Sequence, residues 1–191
     1  MKTLLLAAAM AVTGTIASAT TVTIDFEQFN AFDNIDGQTV NDVVFSARGN
    51  AVSIETGPDG SLGIIGRPVT TEYPYRADFS VLGVTNVSVD LGDFGADEDR
   101  IFLLAFDSLG GLLSSAMETI PRDVNGYRTL SLSANNISYV LFGGVGFEGN
   151  NSVYADNFSY TIAAVPLPAG GLLLVGALGA MAVARRRRAA S

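Results

Sequence analysis

Three sets of side chains in this sequence could do chemistry, and oxygen donors dominate all of them. Asp25 and Glu27 sit in one apolar run and Asp156 and Asn157 in another far down the chain. Brought together, their carboxylate and amide oxygens are the hard donors that Ca2+ takes, about six to eight at a time. The alternative for both pairs is plain solvation at a sheet edge. A second set, Asp90, Asp93, Asp97, Glu98 and Asp99, crowds five carboxylates into ten residues, with Gly92 and Gly95 between them to loosen the loop. Such crowding is relieved either by a cation or by full hydration. The third set mixes rings with polar heads: Tyr73, Tyr75 and Arg76 in one segment, Asn150, Asn151 and Tyr154 in another. A tyrosine can lay its ring against a sugar while its hydroxyl hydrogen-bonds, so this set is the candidate glycan face. Ordinary surface and core packing is the competing account.

Missing residue types narrow the chemistry further. The chain has no histidine, cysteine or tryptophan. That removes the commonest general base, the commonest zinc ligand, the strongest sugar-stacking ring and any disulfide. A serine nucleophile would have no histidine partner, and no Gly-x-Ser-x-Gly elbow is present. A glycosidase needs only two carboxylates flanking the scissile bond. Glu27, Glu55, Glu72, Glu98, Glu118 and Glu148 supply carboxylates without forming a recognisable pair. The chain therefore reads as non-enzymatic, with a jelly-roll glycosidase as the weaker alternative and Ca2+ as the one cofactor its donors suit.

The elements that must position these residues are short strands. Apolar and β-branched runs alternate with Gly, Asn, Asp and Pro clusters, and helical periodicity is nearly absent between residues 20 and 162. The pattern predicts strands at Val22–Phe29, Val43–Ala47, Ala51–Glu55, Leu62–Ile65, Ala77–Val81, Val84–Leu91, Arg100–Asp107, Leu112–Thr119, Tyr127–Ser133, Ile137–Phe142 and Ser152–Ile162. Val87, Val89 and Leu91 should face one side with Ser88 and Asp90 on the other, and Leu130 and Leu132 should alternate with Thr129, Ser131 and Ser133. Turn residues in Asp107–Gly111 and at Asn135–Asn136 predict hairpins, and Gly57-Pro58-Asp59-Gly60 another tight turn. The expected fold is all-β, an antiparallel jelly-roll or Greek-key β-sandwich whose first and last strands pair, with an immunoglobulin-like sandwich or a barrel as alternatives.

The two ends read as addresses. Met1-Lys2, the apolar stretch Leu4–Val12 and the small-x-small site Ala17-Ser18-Ala19 form a secretory signal peptide over residues 1–19, so the general secretion machinery is an expected partner. At the other end, residues 169–184 carry no charged side chain before Arg185, Arg186, Arg187 and Arg188. A helix there would cross most of a bilayer's apolar thickness, and the arginines would stop it on the cytoplasmic side. The sandwich, residues 20–162, would then lie on the periplasmic side of the inner membrane. It carries six arginines against all 19 acidic side chains, a net of −13 that the whole-chain value of −8 conceals. So acidic a surface excludes nucleic acid and repels polyanions.

Val165, Pro166, Leu167, Pro168 and Ala169 stand directly before this apolar stretch. Both prolines hold the backbone extended and unpaired, a shape a protease accepts, and Pro168 can open the following helix. The order of motif, apolar helix and arginine cluster, over residues 163–191, resembles the PEP-CTERM class of bacterial sorting signals in its VPLPA variant. The resemblance implies an exosortase, a membrane-embedded protease or transpeptidase, as partner. It also implies release to the cell surface or extracellular space, in a setting of extracellular polysaccharide or biofilm matrix. A permanently tail-anchored periplasmic protein is the alternative. The middle of the chain also resembles the β-sandwich modules of such proteins at Ile24-Asp25-Phe26-Glu27, at Tyr75-Arg76-Ala77-Asp78-Phe79, across Val87–Gly95 and at Val153–Phe158.

Overall fold

A computed structural model describes residues 18–47, 51–67, 75–95, 97–146 and 153–164, together with 176, 177, 179–181, 185 and 186. Among these residues twelve strands form: β1 (Thr20–Ile24), β2 (Thr39–Val40), β3 (Val43–Ala47), β4 (Ala51–Thr56), β5 (Leu62–Arg67), β6 (Tyr75–Phe79), β7 (Val84–Asp93), β8 (Asp99–Phe106), β9 (Leu112–Ile120), β10 (Gly126–Ile137), β11 (Tyr139–Gly146) and β12 (Tyr154–Ile162). They make two six-stranded sheets. One runs β10-β7-β12-β5-β4, with β1 also on β12; the other runs β2-β3-β6-β11-β8-β9. Together they are a compact unit, Ala19–Ala163.

The wiring is that of a jelly roll. Leaving aside β2–β5, the chain folds on itself so that β1 pairs with β12, β6 with β11, β7 with β10 and β8 with β9, all antiparallel. The doubled chain then wraps so that successive pairs fall in alternate sheets. The expected pairing of first and last strands is present, Thr20 opposite Ile162 through Ile24 opposite Phe158. The inserted β4–β5 hairpin turns at Gly57–Ser61, as its turn residues require, and β8–β9 turns at Asp107–Gly111. There the Asp107 carboxylate accepts the Leu109 and Gly111 amides at 2.8 Å each.

Two expectations need correction. Asn135–Asn136 is not a hairpin turn: β10 continues through both to Ile137, and the next strand, β11, lies in the opposite sheet. Asn136 takes a positive φ of 57°, and the pairing with β7 slips between Ser133 and Ile137, so the asparagines build a bulge. The first strand also stops at Ile24 rather than running to Phe29, because Phe26 turns with a positive φ and its carbonyl accepts the Phe29 amide.

Alternation then builds the core. Val87, Val89, Leu91, Leu130 and Leu132 are buried while Ser131, Ser133 and Thr129 are exposed, as the period-two pattern predicts. Phe158 of β12 sits at the junction of the sheets, its ring 5.3 Å from Phe45, 5.6 Å from Phe142 and 6.2 Å from Phe79. Phe26 extends the cluster through Phe45, and Tyr75 through Phe142. Outside the sandwich, residues 176, 177, 179–181, 185 and 186 are helical. No helix among the described residues is long and apolar enough to cross a membrane, and most of the expected span, 169–184, lies outside them, as does the expected signal peptide apart from its last residues.

Truncating the shared ring should be the most damaging single core change. Phe158→Ala is expected to cost about 3–5 kcal/mol of unfolding free energy. Urea denaturation measures this, and a loss below about 1 kcal/mol would show that Phe158 is not the ring on which the sheets meet.

Candidate functional site

The outward face of the β2-β3-β6-β11-β8-β9 sheet combines apolar surface with charged heads. Register sets its rows: Val44, Asp78, Tyr139 and Phe106 lie side by side, then Ser46, Arg76, Leu141, Leu104 and Ser115, then Phe102 and Met117, and last Arg100 and Thr119. Arg76 and Asp78 share a face because they are two apart on one strand, and they form a bidentate pair at 2.7 and 2.6 Å. That carboxylate raises the Arg76 guanidinium above its ordinary value. The guanidinium carbon lies 3.7 Å from the centre of the Tyr139 ring, and Phe106 stacks on Tyr139 with centroids 4.9 Å apart and planes 7° from parallel. Arg100, Phe102, Met117, Glu118 and Thr119 border a depression of about 320 Å³ at the β8–β9 end. Met117 is 72% exposed.

Of the predicted glycan residues that are described, only Arg76 reaches this face. Its neighbour Tyr75 points the other way, as alternation demands, and is buried, its hydroxyl donating to the Val153 carbonyl at 2.8 Å and accepting the Gly66 amide at 2.9 Å. Tyr154 is buried on the other sheet against Phe94. Tyr73, Asn150 and Asn151 lie outside the described residues. The rings that do reach the surface, Tyr139 and Phe106, escaped sequence reading because each looks like one more apolar residue in a half-buried strand. Only the pairing of Tyr139 with both Asp78 and Phe106 sets them together.

Across β1, β12, β7 and β10 the other sheet presents rows of small polar residues on its outer face. Thr23, Ser159, Ser88 and Ser131 stand in one cross-strand row, and Thr21, Thr161, Asn86 and Ser133 in the next. These groups largely satisfy one another: Thr21 with Thr161 at 2.9 Å, Thr23 with Ser159 at 2.8 Å, Ser133 donating to Asn86 at 2.5 Å. At the end of this face lie two of the predicted calcium donors. Buried Asp156 accepts the Ser61 hydroxyl at 2.8 Å and the Asn157 amide at 2.6 Å, and the Asn157 side chain donates to Asp90 at 3.0 Å. Burial first, then the charges of Asp59 and Asp90, raise the Asp156 carboxyl against the lowering pull of these hydrogen bonds. The other two donors turn elsewhere. Glu27 accepts the Leu62 amide at 2.7 Å, and Asp25 accepts the Glu27 amide at 3.3 Å. Pairing of β1 with β12 brings the backbones together, yet the four donors serve four local purposes.

The acidic run behaves differently. Asp93 closes β7, Asp99 opens β8, and one carboxylate oxygen from each of Asp93, Asp97 and Asp99 falls within 4.8 Å of the others. Asp93 and Asp99 are 3% and 0% exposed. Asp93 accepts the Gly95 amide at 2.6 Å, whereas neither Asp99 oxygen has a hydrogen-bond donor among the described residues. Burial foremost, then the close Asp93 carboxylate, then the charge of Asp97, push Asp99 up to about 7. Gly92 does not loosen this loop as the sequence suggested: it lies inside β7, where a Cβ would stand 2.1 Å from the Gly126 carbonyl oxygen. Among the exposed pair of arginines, Arg185 and Arg186 are helical, while Arg187, Arg188 and the whole of Val165, Pro166, Leu167, Pro168 and Ala169 lie outside the described residues.

No family model matches the chain, and no curated protein matches it either. Among solved structures, a family 29 carbohydrate-binding module aligns with 16% identity and a TM-score of 0.44 over 75% of this chain and 92% of its own. A xylan-binding domain of family 22 aligns with 17% identity and a TM-score of 0.44, over 72% and 98%. An α-L-arabinofuranosidase aligns with 8% identity and a TM-score of 0.49, over 78% of this chain and 27% of its own. At these scores the likeness is one of outline, and the jelly roll rests on the strand pairing itself.

Asp99 gives stability a pH dependence with a defined sign. With chelator present, the folded chain holds a proton on Asp99 up to about pH 7 that the unfolded chain has released near the ordinary carboxylate value. Folding therefore takes up a proton in this window, and stability falls as pH rises from about 4 to about 7. Asp99→Asn should flatten that slope. Urea midpoints at about pH 5 and about pH 7.5 test this, and an unchanged slope in the variant would refute it.

Proposed function

We propose that this chain is an exported, non-catalytic β-sandwich that binds an uncharged extracellular polysaccharide along the outer face of β6, β11, β8 and β9. The observation that carries the reading is the meeting of stacked Tyr139 and Phe106, the Arg76–Asp78 pair and the apolar depression beside Phe102 and Met117 on one exposed sheet face. A sugar offers both C–H surface and hydroxyls, and this face answers both. Covering roughly 100 Å² of its apolar surface contributes about 2.5 kcal/mol at about 25 cal/mol per Å². A hydroxyl on the opposite face only exchanges an existing partner for a sugar, at close to no net gain. The net charge of −13 on residues 20–162, six arginines against 19 acidic groups, favours a neutral glycan over an acidic one.

Delivery belongs to the same proposal. The signal-peptide pattern of residues 1–19 supports passage through the general secretion machinery. The order of Val165–Ala169, apolar segment and Arg185–Arg188 supports anchoring in the inner membrane with the sandwich on the periplasmic side. Exosortase-type cleavage near the motif would then free the sandwich to the cell surface or matrix. A permanent tail anchor is the second reading, favoured by the bare presence of an apolar stretch with a basic stop.

Two measurements test these parts separately. In gels cast with neutral polysaccharides the chain should be retarded, and Tyr139→Ala should weaken binding by roughly tenfold, as loss of one aromatic contact implies. Ser88→Ala with Ser131→Ala on the opposite face should leave it unchanged. Absence of retardation on every neutral glycan, or equal loss in the serine variant, would sink the binding face. For delivery, the C-terminal peptide of the exported protein should end near residues 164–169, whereas recovery of Ser191 in that pool would establish the permanent anchor.

A further inference from the structure

We propose that Asp93, Asp97 and Asp99 hold a calcium ion at the crossing from β7 to β8, independently of any glycan bound on the sheet face. The three carboxylates come from one short connection between the two sheets, since Asp93 ends a strand of one sheet and Asp99 begins a strand of the other. Their oxygens all lie within 4.8 Å of one another, a spacing close to the one that a single Ca2+ ion, 2.3–2.6 Å from each of its ligands, would draw together.

A cluster of acids on a loop is ordinarily a solvated one, and Asp99 separates this case from that. It is fully buried and both of its oxygens lack a donor among the described residues. Native proteins rarely leave such a group unsatisfied, because an unpartnered buried carboxylate costs several kcal/mol. The Gly95 amide, a backbone donor of the same connection, is given to Asp93. Nor does a cationic side chain among the described residues supply the missing partner: Arg100, next in sequence, is exposed on β8, and Arg76 and Arg128 pair with Asp78 and Glu118. What fits between three carboxylates that turn toward one another is a positive ion.

The chemistry of the donors selects which ion. All are carboxylate oxygens, and a chain without histidine or cysteine offers nothing to zinc or copper. Mg2+ demands near-ideal octahedral geometry and keeps several waters, which a site with two of three ligands buried cannot readily house. Ca2+ accepts irregular sites, and half-buried Asp97 leaves a side from which it can enter. The site differs from the terminal-strand donors Asp25, Glu27, Asp156 and Asn157, whose oxygens serve amides and hydroxyls.

The test uses the full chain in detergent. Calcium at about a hundred times its dissociation constant should raise the melting temperature by about 5 °C or more over chelator. Isothermal titration should report one strong site. Asp97→Asn, at a half-buried position that tolerates the change, should weaken calcium binding at least about tenfold and abolish the thermal shift while melting in chelator at or above the wild-type temperature. Asp25→Asn with Glu27→Gln should keep the full calcium response. A wild-type chain indifferent to calcium, a response that survives in Asp97→Asn, or one lost in the Asp25/Glu27 variant would each overturn the assignment.

Discussion

Strand β12 is paired along both edges, with β7 on one side and with β1 and β5 on the other, and its inward side chains are those on which the two sheets meet. Phe158 touches rings from β3, β6 and β11 of the opposite sheet, and Tyr160 packs on Phe79. A strand held in this way cannot slip by one residue without turning Phe158 and Tyr160 outward and Asn157 and Ser159 into the core. The register of β12 therefore fixes the order of both sheets, and with it which residues each outer face presents.

The two outer faces then follow opposite chemistry from the same alternation. On the β1-β12-β7-β10 side, outward positions are mostly Thr, Ser, Asn and Asp, which bind one another across the strands, with Tyr127 and Tyr154 at the Gly92 end. Such a surface is content in water. On the β6-β11-β8-β9 side, outward positions include Phe102, Leu104, Phe106, Tyr139 and Leu141, all only half-buried. Apolar surface kept at the boundary with solvent costs free energy that covering it would recover, and the Arg76–Asp78 pair at its margin would favour a cover that also carries polar groups. A ligand with C–H patches and hydroxyls meets both requirements, where a wholly apolar one would strand the ion pair.

Strand positions were largely legible in the sequence, because burial on one face imposes a period of two that residues such as Val87, Val89 and Leu91 display openly. Every expected strand has a counterpart, and only the two-residue β2 was not foreseen. Turn chemistry was less decisive. Asp107–Gly111 and Asn135–Asn136 look alike as polar punctuation, yet one closes a hairpin and the other bulges a strand before it changes sheet. What separates them is which neighbours the flanking strands find, and that is tertiary information. The described members of the glycan set part for a related reason: Tyr75 and Arg76 are adjacent in sequence and so cannot share a sheet face. The acidic run was legible as a cluster, but sequence could not reveal that Asp99 is sealed away while Glu98 beside it is only half-buried.

That sealing bears on the proposed binding face through the geometry of β8. Asp99 and Arg100 are its first residues, one turned into the acidic cluster and the other out to the depression that Phe102 and Met117 line. From there alternation carries Phe102, Leu104 and Phe106 along the outer face and Ile101, Leu103 and Ala105 into the core. Whatever satisfies Asp99 thus anchors the end of the strand that supplies the apolar spine of the face. A proton can neutralise the charge of Asp99 but acts only on that residue, already held in its strand. An ion coordinated by all three acids also ties down Asp97 and hence the connection between the sheets. Preorganisation of this kind lowers the ordering cost of a ligand without touching it, so calcium would act on glycan affinity through the frame of β8 rather than through a contact with the sugar.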